Sequence, residues 1–147
     1  MTGLARLPAR FDNWFKSRGW QARAHQLALT QTALAGRSAL LIAPTGGGKT
    51  LAGFLASLIE MEAEPTKPRP RLHTLYLSPL KALAVDVERN LMAPVEEMGL
   101  DIRIETRTGD TPAHKRQRQR KTPPDICLLY TSPSPRDLST SRMPSSA

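Results

Sequence analysis

Residues 39–59 constrain this chain more than any other stretch, because an apolar run, a glycine-rich turn and an amphipathic segment follow one another without interruption. Ala39, Leu40, Leu41 and Ile42 read as a buried strand, with Ala43 at its end in ordinary β geometry. Residues 51–59 have the spacing of a helix packed on a sheet. Between them lie Ala43, Pro44, Thr45, Gly46, Gly47, Gly48, Lys49 and Thr50. Strand, glycine-rich turn and helix in that order are the context a phosphate-binding loop needs. Glycines let the backbone turn tightly, so that several N–H groups converge on a triphosphate. The helix N-terminus adds partial positive charge. Residues 43–50 are therefore the candidate nucleotide site, with Lys49 and Thr50 the candidate catalytic pair. Lys49 is suited to the β- and γ-phosphates of ATP, and the Thr50 hydroxyl is the candidate Mg²⁺ ligand. The strict pattern begins with glycine, where this chain has Ala43.

A length of 147 residues suits one domain with its own core. No apolar run approaches the roughly 20 residues that span a bilayer. The first ten residues carry Arg6 and Arg10 without a continuous apolar segment, which argues against a secretory signal. One cysteine, Cys127, cannot form an internal disulfide. It reads as an inert core residue and fits a reducing cytoplasm. The net charge of +8 favours polyanionic partners.

Residues 10–20 read as a short helix capped by Asp12 or Asn13 and ended by Gly19, with Phe11, Trp14 and Phe15 on one face. A second helix is expected over 22–35, stopped by Gly36 and burying Leu27, Thr30 or Gln31, and Leu34. Gln26, near its start, is either an exposed helix glutamine or a reader of adenine through its amide. His25 reads as structural. The proline-rich stretch 63–71 is a solvated connector. Residues 73–78 form a second buried strand, 80–91 a helix, and Pro94 opens a separate short turn of helix ending near Gly99. Residues 101–106 alternate as a third strand. A basic helix is expected over 113–121, broken by Pro123 and Pro124, before a fourth strand opens at Asp125 and Ile126. Strands alternating with helices indicate an α/β fold with a parallel sheet flanked by helices.

Several of these stretches together resemble one family. Trp20 with Arg23 to Gln26, the 43–50 loop, Leu77-Ser-Pro-Leu-Lys-Ala-Leu-Ala84 and Thr106-Arg-Thr-Gly-Asp-Thr111 stand in the order and spacing of a superfamily 2 helicase. Within it the chain most resembles the large-helicase-related group of DExH-box DNA helicases, and in particular the ligase-associated DNA-damage-response helicases, over residues 8–126. The resemblance implies an incomplete RecA-like first domain of an ATP-dependent DNA translocase. Gln26 would contact adenine, and Gly46, Gly48, Lys49 and Thr50 would form motif I. Pro79, Leu80 and Lys81 match motif Ia, and Arg107, Thr108, Gly109 and Asp110 match motif Ib, both lying against one nucleic-acid strand. DNA is the implied partner, with RNA as an alternative, and a DNA ligase or nuclease as possible companions. Loops at the carboxyl ends of parallel strands face one crevice, which agrees with such a surface. Backbone N–H groups and Lys81 could hold phosphates there without reading bases. The run from His114 to Lys121 serves equally well as a phosphate grip or a charged outer face.

From Cys127 onward the chain departs from the family, which continues with an apolar strand, Thr-Thr-Pro-Glu and a long helix. Here Leu128 and Leu129 keep a strand-like start, then a Ser/Pro-rich run follows. Residues 127–147 are therefore expected to be a disordered, non-native tail. No Asp-Glu-x-His box is present, so the chain by itself is not expected to hydrolyse ATP. Two other classes are compatible with these residues. One is a small phosphate-loop kinase or transport ATPase, and the other is a basic nucleic-acid-binding module with a vestigial nucleotide loop.

Overall fold

Three short parallel strands carry the architecture, in a computed structural model that describes residues 6–64 and 71–131. They are β1 (Thr74–Ser78), β2 (Ile104–Arg107) and β3 (Ile126–Tyr130), in the order β1-β3-β2. Thr74 stands beside Ile126 and Ser78 beside Tyr130, while Ile104 and Arg107 flank Ile126 and Leu129 from the other side. The helices are α1 (Ala9–Ser17), α2 (Ala24–Leu34), α3 (Lys49–Ala63), α4 (Lys81–Glu97) and α5 (Ala113–Lys121). The α/β fold with a helix-flanked parallel sheet is as the alternating pattern requires.

Side chains alternate across a strand, so each face of the sheet has its own chemistry. Tyr76, Ile104, Ile126 and Leu128 point to one side, where Phe54, Leu55 and Leu58 of α3 and Val87, Leu91 and Val95 of α4 cover them. Phe11, Trp14 and Phe15 of α1 close this core, as their shared helical face predicts. The opposite face carries Leu75, Leu77, Glu105, Cys127 and Leu129, with α5 bonded to Glu105. Asp125 ties the lower edge together. Its carboxylate accepts the Arg103 N–H at 2.9 Å, and its carbonyl accepts those of His73 and Thr74 at 2.9 and 3.0 Å.

Six expectations need correction. Residues 39–42 are not a strand: among the described residues they pair with no strand, and Leu40 and Ile42 are each 86% exposed. A strand needs a hydrogen-bonded neighbour, and none of the three strands pairs with this segment. β1 is buried on one face only, since Leu75 and Leu77 are exposed. Neither Asp12 nor Asn13 caps α1; Pro8 does, and Asp12 sits in the first turn, bonded to Lys16 at 2.7 Å. Proline at a helix start needs no N–H, which is why the helix begins earlier.

Pro94 does not open a new turn but lies inside α4. Leu91 and Val95, buried on either side of it, hold the helix on course, and Met98 N–H still bonds the Pro94 carbonyl at 3.0 Å. The tail expected to be disordered from Cys127 is ordered at least through Tyr130, because Cys127 to Tyr130 complete the central strand. Leu128 is fully buried there, and apolar side chains between two parallel neighbours suffice to hold a strand. The rest of that tail, 132–147, and most of the proline-rich connector, 65–70, lie outside the described residues. The third strand also starts later than expected, at Ile104.

Candidate functional site

The glycine-rich turn takes the shape its sequence demands. Gly46 and Gly48 have φ of +77° and +71°, which side chains other than hydrogen rarely tolerate. A Cβ on Gly47 would stand 2.8 Å from the Pro44 carbonyl oxygen, which already accepts the Gly47 N–H at 3.1 Å. Gly48 is the N-cap of α3 and offers no side-chain cap, so the first-turn amides of a 15-residue helix have no capping partner. Lys49 is exposed, and its ammonium donates to the Ala43 carbonyl at 2.8 Å, arching over the turn.

Two side chains from α2 hold the turn from below. His25 Nε2–H donates to the Gly47 carbonyl at 2.7 Å; a carbonyl only accepts, so the proton is on this nitrogen. Gln26 is 4% exposed and not on the surface. Its Nε2 donates to the Gly48 carbonyl at 3.3 Å, and its Oε1 accepts the Arg23 N–H at 2.8 Å. A Cβ on Gly48 would come within 2.6 Å of that amide nitrogen. Sequence reasoning took His25 as structural, and its structural task is specific: it fixes the turn on which Lys49 sits.

A cavity of about 1020 Å³ opens at this turn, lined by Thr45, Gly46, Lys49 and Thr50 together with Trp20 and Arg23. Part of its lining is held by a cluster that sequence reasoning missed. Arg18 lies over the rings of Trp14 and Trp20, 5.8 and 5.2 Å from their centroids, and pairs with Glu97 of α4. Trp14 Nε1–H donates to the same carboxylate at 2.7 Å. The guanidinium, with help from the indole N–H, holds the Glu97 carboxyl below its ordinary pKa. The periodicity of α1 identified the aromatic face, but no local pattern links it to an acid on α4.

The second candidate surface lies at the carboxyl edge of the sheet. Ser78 is buried, its hydroxyl donating to the Leu80 carbonyl at 2.7 Å and accepting the Leu80 N–H at 3.3 Å. That turn leaves Pro79, Leu80 and Lys81 exposed. After β2, Thr111 Oγ1 accepts the Thr108 N–H at 2.9 Å, and Thr111 N–H returns to the Thr108 carbonyl at 3.1 Å. Gly109 and Asp110 project from this closed turn, while Arg107 and Thr108 are half-buried. Lys81 forms an ion pair with Asp110, which brings the two loops together and lowers the Asp110 pKa from 3.8. Cys127 is buried beside Arg107 and Glu105, and burial pushes its thiol above its ordinary pKa, as an inert core residue requires. Among the described residues no group of three or more His, Cys, Asp or Glu is arranged to hold a metal. No described helix is long and apolar enough to cross a membrane.

The model of the DEAD/DEAH box helicase family matches residues 23–137, most of the chain. The chain belongs to the DEAD/DEAH box helicases. Among its relatives, the Lhr helicase/uracil glycosylase of Escherichia coli is 39% identical over 142 residues, covering 86% of this chain and 9% of that protein. The ATP-dependent helicase Lhr-Core of Methanocaldococcus jannaschii is 38% identical over 133 residues, covering 82% of this chain and 16% of that protein. This helicase chain thus spans a small part of the length of the curated relatives it matches. Helicase Lhr of Mycobacterium smegmatis, solved with ssDNA and AMP-PNP, superposes with a TM-score of 0.72 at 36% identity, over 88% of this chain and 18% of that one. Helicase MrfA, solved with DNA and AMPPNP, gives 0.72 at 32% identity, over 85% and 17%.

Proposed function

We propose that this chain is the nucleotide-gripping part of the first motor domain of an ATP-dependent DNA helicase, with ATP at residues 43–50 and a DNA strand across the loops after β1 and β2. The observation that carries the reading is the uncapped start of α3 beneath two left-handed glycines and beside the Lys49 ammonium. That set of donors, with no acid in the first turn of α3, fits a polyphosphate. Lys49 would leave the Ala43 carbonyl for the β- and γ-phosphates, and Thr50 would ligate the Mg²⁺. Gln26 keeps one amide hydrogen and one lone pair beyond its two backbone bonds, which suits an adenine edge. ATP would supply the free energy that the whole protein turns into movement along DNA.

At the sheet edge, Pro79, Leu80 and Lys81 would face one strand together with Arg107, Thr108, Gly109 and Asp110. The Lys81–Asp110 pair supports this by joining the two loops into a single surface. The relatives solved with ssDNA or DNA support DNA as the partner. Hydrolysis would need the acidic box and a second motor domain, which supply most of the electrostatic stabilisation in phosphoryl transfer. The chain by itself would bind nucleotide without turning it over. A ligase or nuclease companion belongs to the same proposal for the whole protein. Residues 127–147 would be foreign sequence in place of the family's own, of which the first few happen to complete β3. Genomic DNA read across codons 120–147 tests that, and an unbroken frame in several isolates defeats it.

The central test is calorimetric titration of ATP–Mg²⁺ into the chain and its Lys49→Ala variant, with a DNA-stimulated ATPase assay on the uninterrupted gene product. Weaker nucleotide binding in the variant and DNA-dependent turnover in the longer protein are expected. Equal ATP affinity in both chains would falsify the reading.

A further inference from the structure

We propose that the outer face of α5 is a second grip for the DNA strand, holding phosphates without reading bases. The inference rests on the reading that the loops after β1 and β2 carry that strand, and extends its path. α5 holds His114, Lys115, Arg116, Arg118, Arg120 and Lys121 and no acid. Glu105 of β2 decides which of these face outward. Its carboxylate accepts two bonds from the Arg118 guanidinium, at 2.9 and 2.8 Å, and one from Gln119 Nε2 at 2.9 Å. Gln119 also donates to the Thr106 carbonyl at 3.2 Å. These bonds set the rotation of the helix about its axis. Gln119 turns inward and is buried, while Arg116, Arg120 and Lys121 turn outward and are exposed. Among the described residues none of these three has an acidic partner.

A merely solvated face does not look like this. The exposed side of α4 mixes Lys81, Asp86 and Arg89, the usual interspersion of signs on a soluble surface. On α5, Arg116 and Arg120 stand one turn apart, about 6 Å along the axis, where like charges repel. Lys115 and Arg116 also oppose the helix dipole at the N-terminal turn. A nine-residue helix is marginal on its own, so this arrangement works against the element that carries it. A phosphate backbone laid along the face relieves both effects. α5 follows directly from the turn that holds Asp110 against Lys81, so the row of cations starts where the proposed DNA surface ends.

The test is binding of a fluorescent single-stranded oligothymidylate to the 147-residue chain across a salt series. Arg116→Gln, Arg120→Gln and Lys121→Gln together should lower the log–log salt slope by about 2, at about 0.7 per lost single-strand contact. Arg116→Lys with Arg120→Lys should restore the slope, and thermal unfolding should be no lower than in the parent chain for either variant, since the glutamines relieve the repulsion along α5. If the glutamine variant keeps the parent slope while Lys81→Ala and Arg107→Ala weaken binding, the α5 grip is wrong and the loop surface stands. If it flattens the slope while those two bind as the parent does, α5 stands and the loop surface is wrong. No binding by the parent chain at low salt overturns both.

Discussion

The glycine-rich turn and the loops at the sheet edge are held in opposite ways. Residues 43–50 are shaped from within, by glycines and by backbone contacts to His25 and Gln26, while the segment that leads into them has no strand partner. The loops after β1 and β2 hang from paired strands, and serine and threonine hydroxyls close them locally. A turn can therefore be correct before the sheet that would carry it is complete. The reason is range. Left-handed glycines and a helix start are decided within a few residues, whereas a strand waits for neighbours far along the chain.

Substitutions can break this contrast, and the largest effect belongs to the paired sheet. Leu128→Ala should destabilise the chain by about 2–5 kcal/mol, because the side chain is fully buried between the strands and α4. Chemical denaturation measures it, and a loss near zero would mean that the central strand is not part of the core. Next, Lys49→Ala should remove a charge-assisted contact worth about 1.5–3 kcal/mol from ATP binding, roughly a tenfold to hundredfold loss, while leaving the unfolding midpoint nearly unmoved. Gly48→Ala should cost about 1–2 kcal/mol for its left-handed φ alone, with more from displacing the Gln26 amide. If it proves neutral by denaturation, the turn is not as described.

Smaller effects belong to the surface. Lys81→Ala should leave the unfolding midpoint nearly unmoved, as an exposed ion pair is worth little, while weakening oligothymidylate binding. The pH dependence has a definite sign. Asp110 is depressed in the folded chain, so its contribution is present above the unfolded pKa and fades as pH falls through the lower folded value. NMR titration of the Asp110 carboxyl in the parent and in Lys81→Ala should show that depression disappear. Replacing Leu75 and Leu77 with lysine should leave stability nearly unchanged and raise solubility, since both are exposed on a strand that stands at the sheet edge among the described residues. A loss of more than about 2 kcal/mol would show that this face is covered in solution.

Local chemistry was legible from the residues alone. The glycine turn, the basic helix Ala113–Lys121, the aromatic face of α1 and the inert cysteine all lie where their spacing puts them. The same local reading misjudged residues 39–42, since an apolar run states that burial is needed but not whether a partner is present. Pro94 was read as a break because a missing N–H usually ends a helix, yet Leu91 and Val95 buried on either side outweigh one lost bond. Of the two readings of Gln26, the exposed one fails, because nothing near it in sequence shows that Gly48 comes to rest against its amide.

The sequence by itself determined that a tight glycine turn precedes a helix, that the sheet is parallel, and which helix carries unmixed positive charge, for these follow from residue type and short spacing. Only the tertiary structure decided that Lys81 meets Asp110, that Glu105 turns Arg116 and Arg120 outward, and that residues 39–42 pair with none of the described strands. Each of those depends on atoms brought together from distant positions in the chain, and no local preference encodes such a meeting.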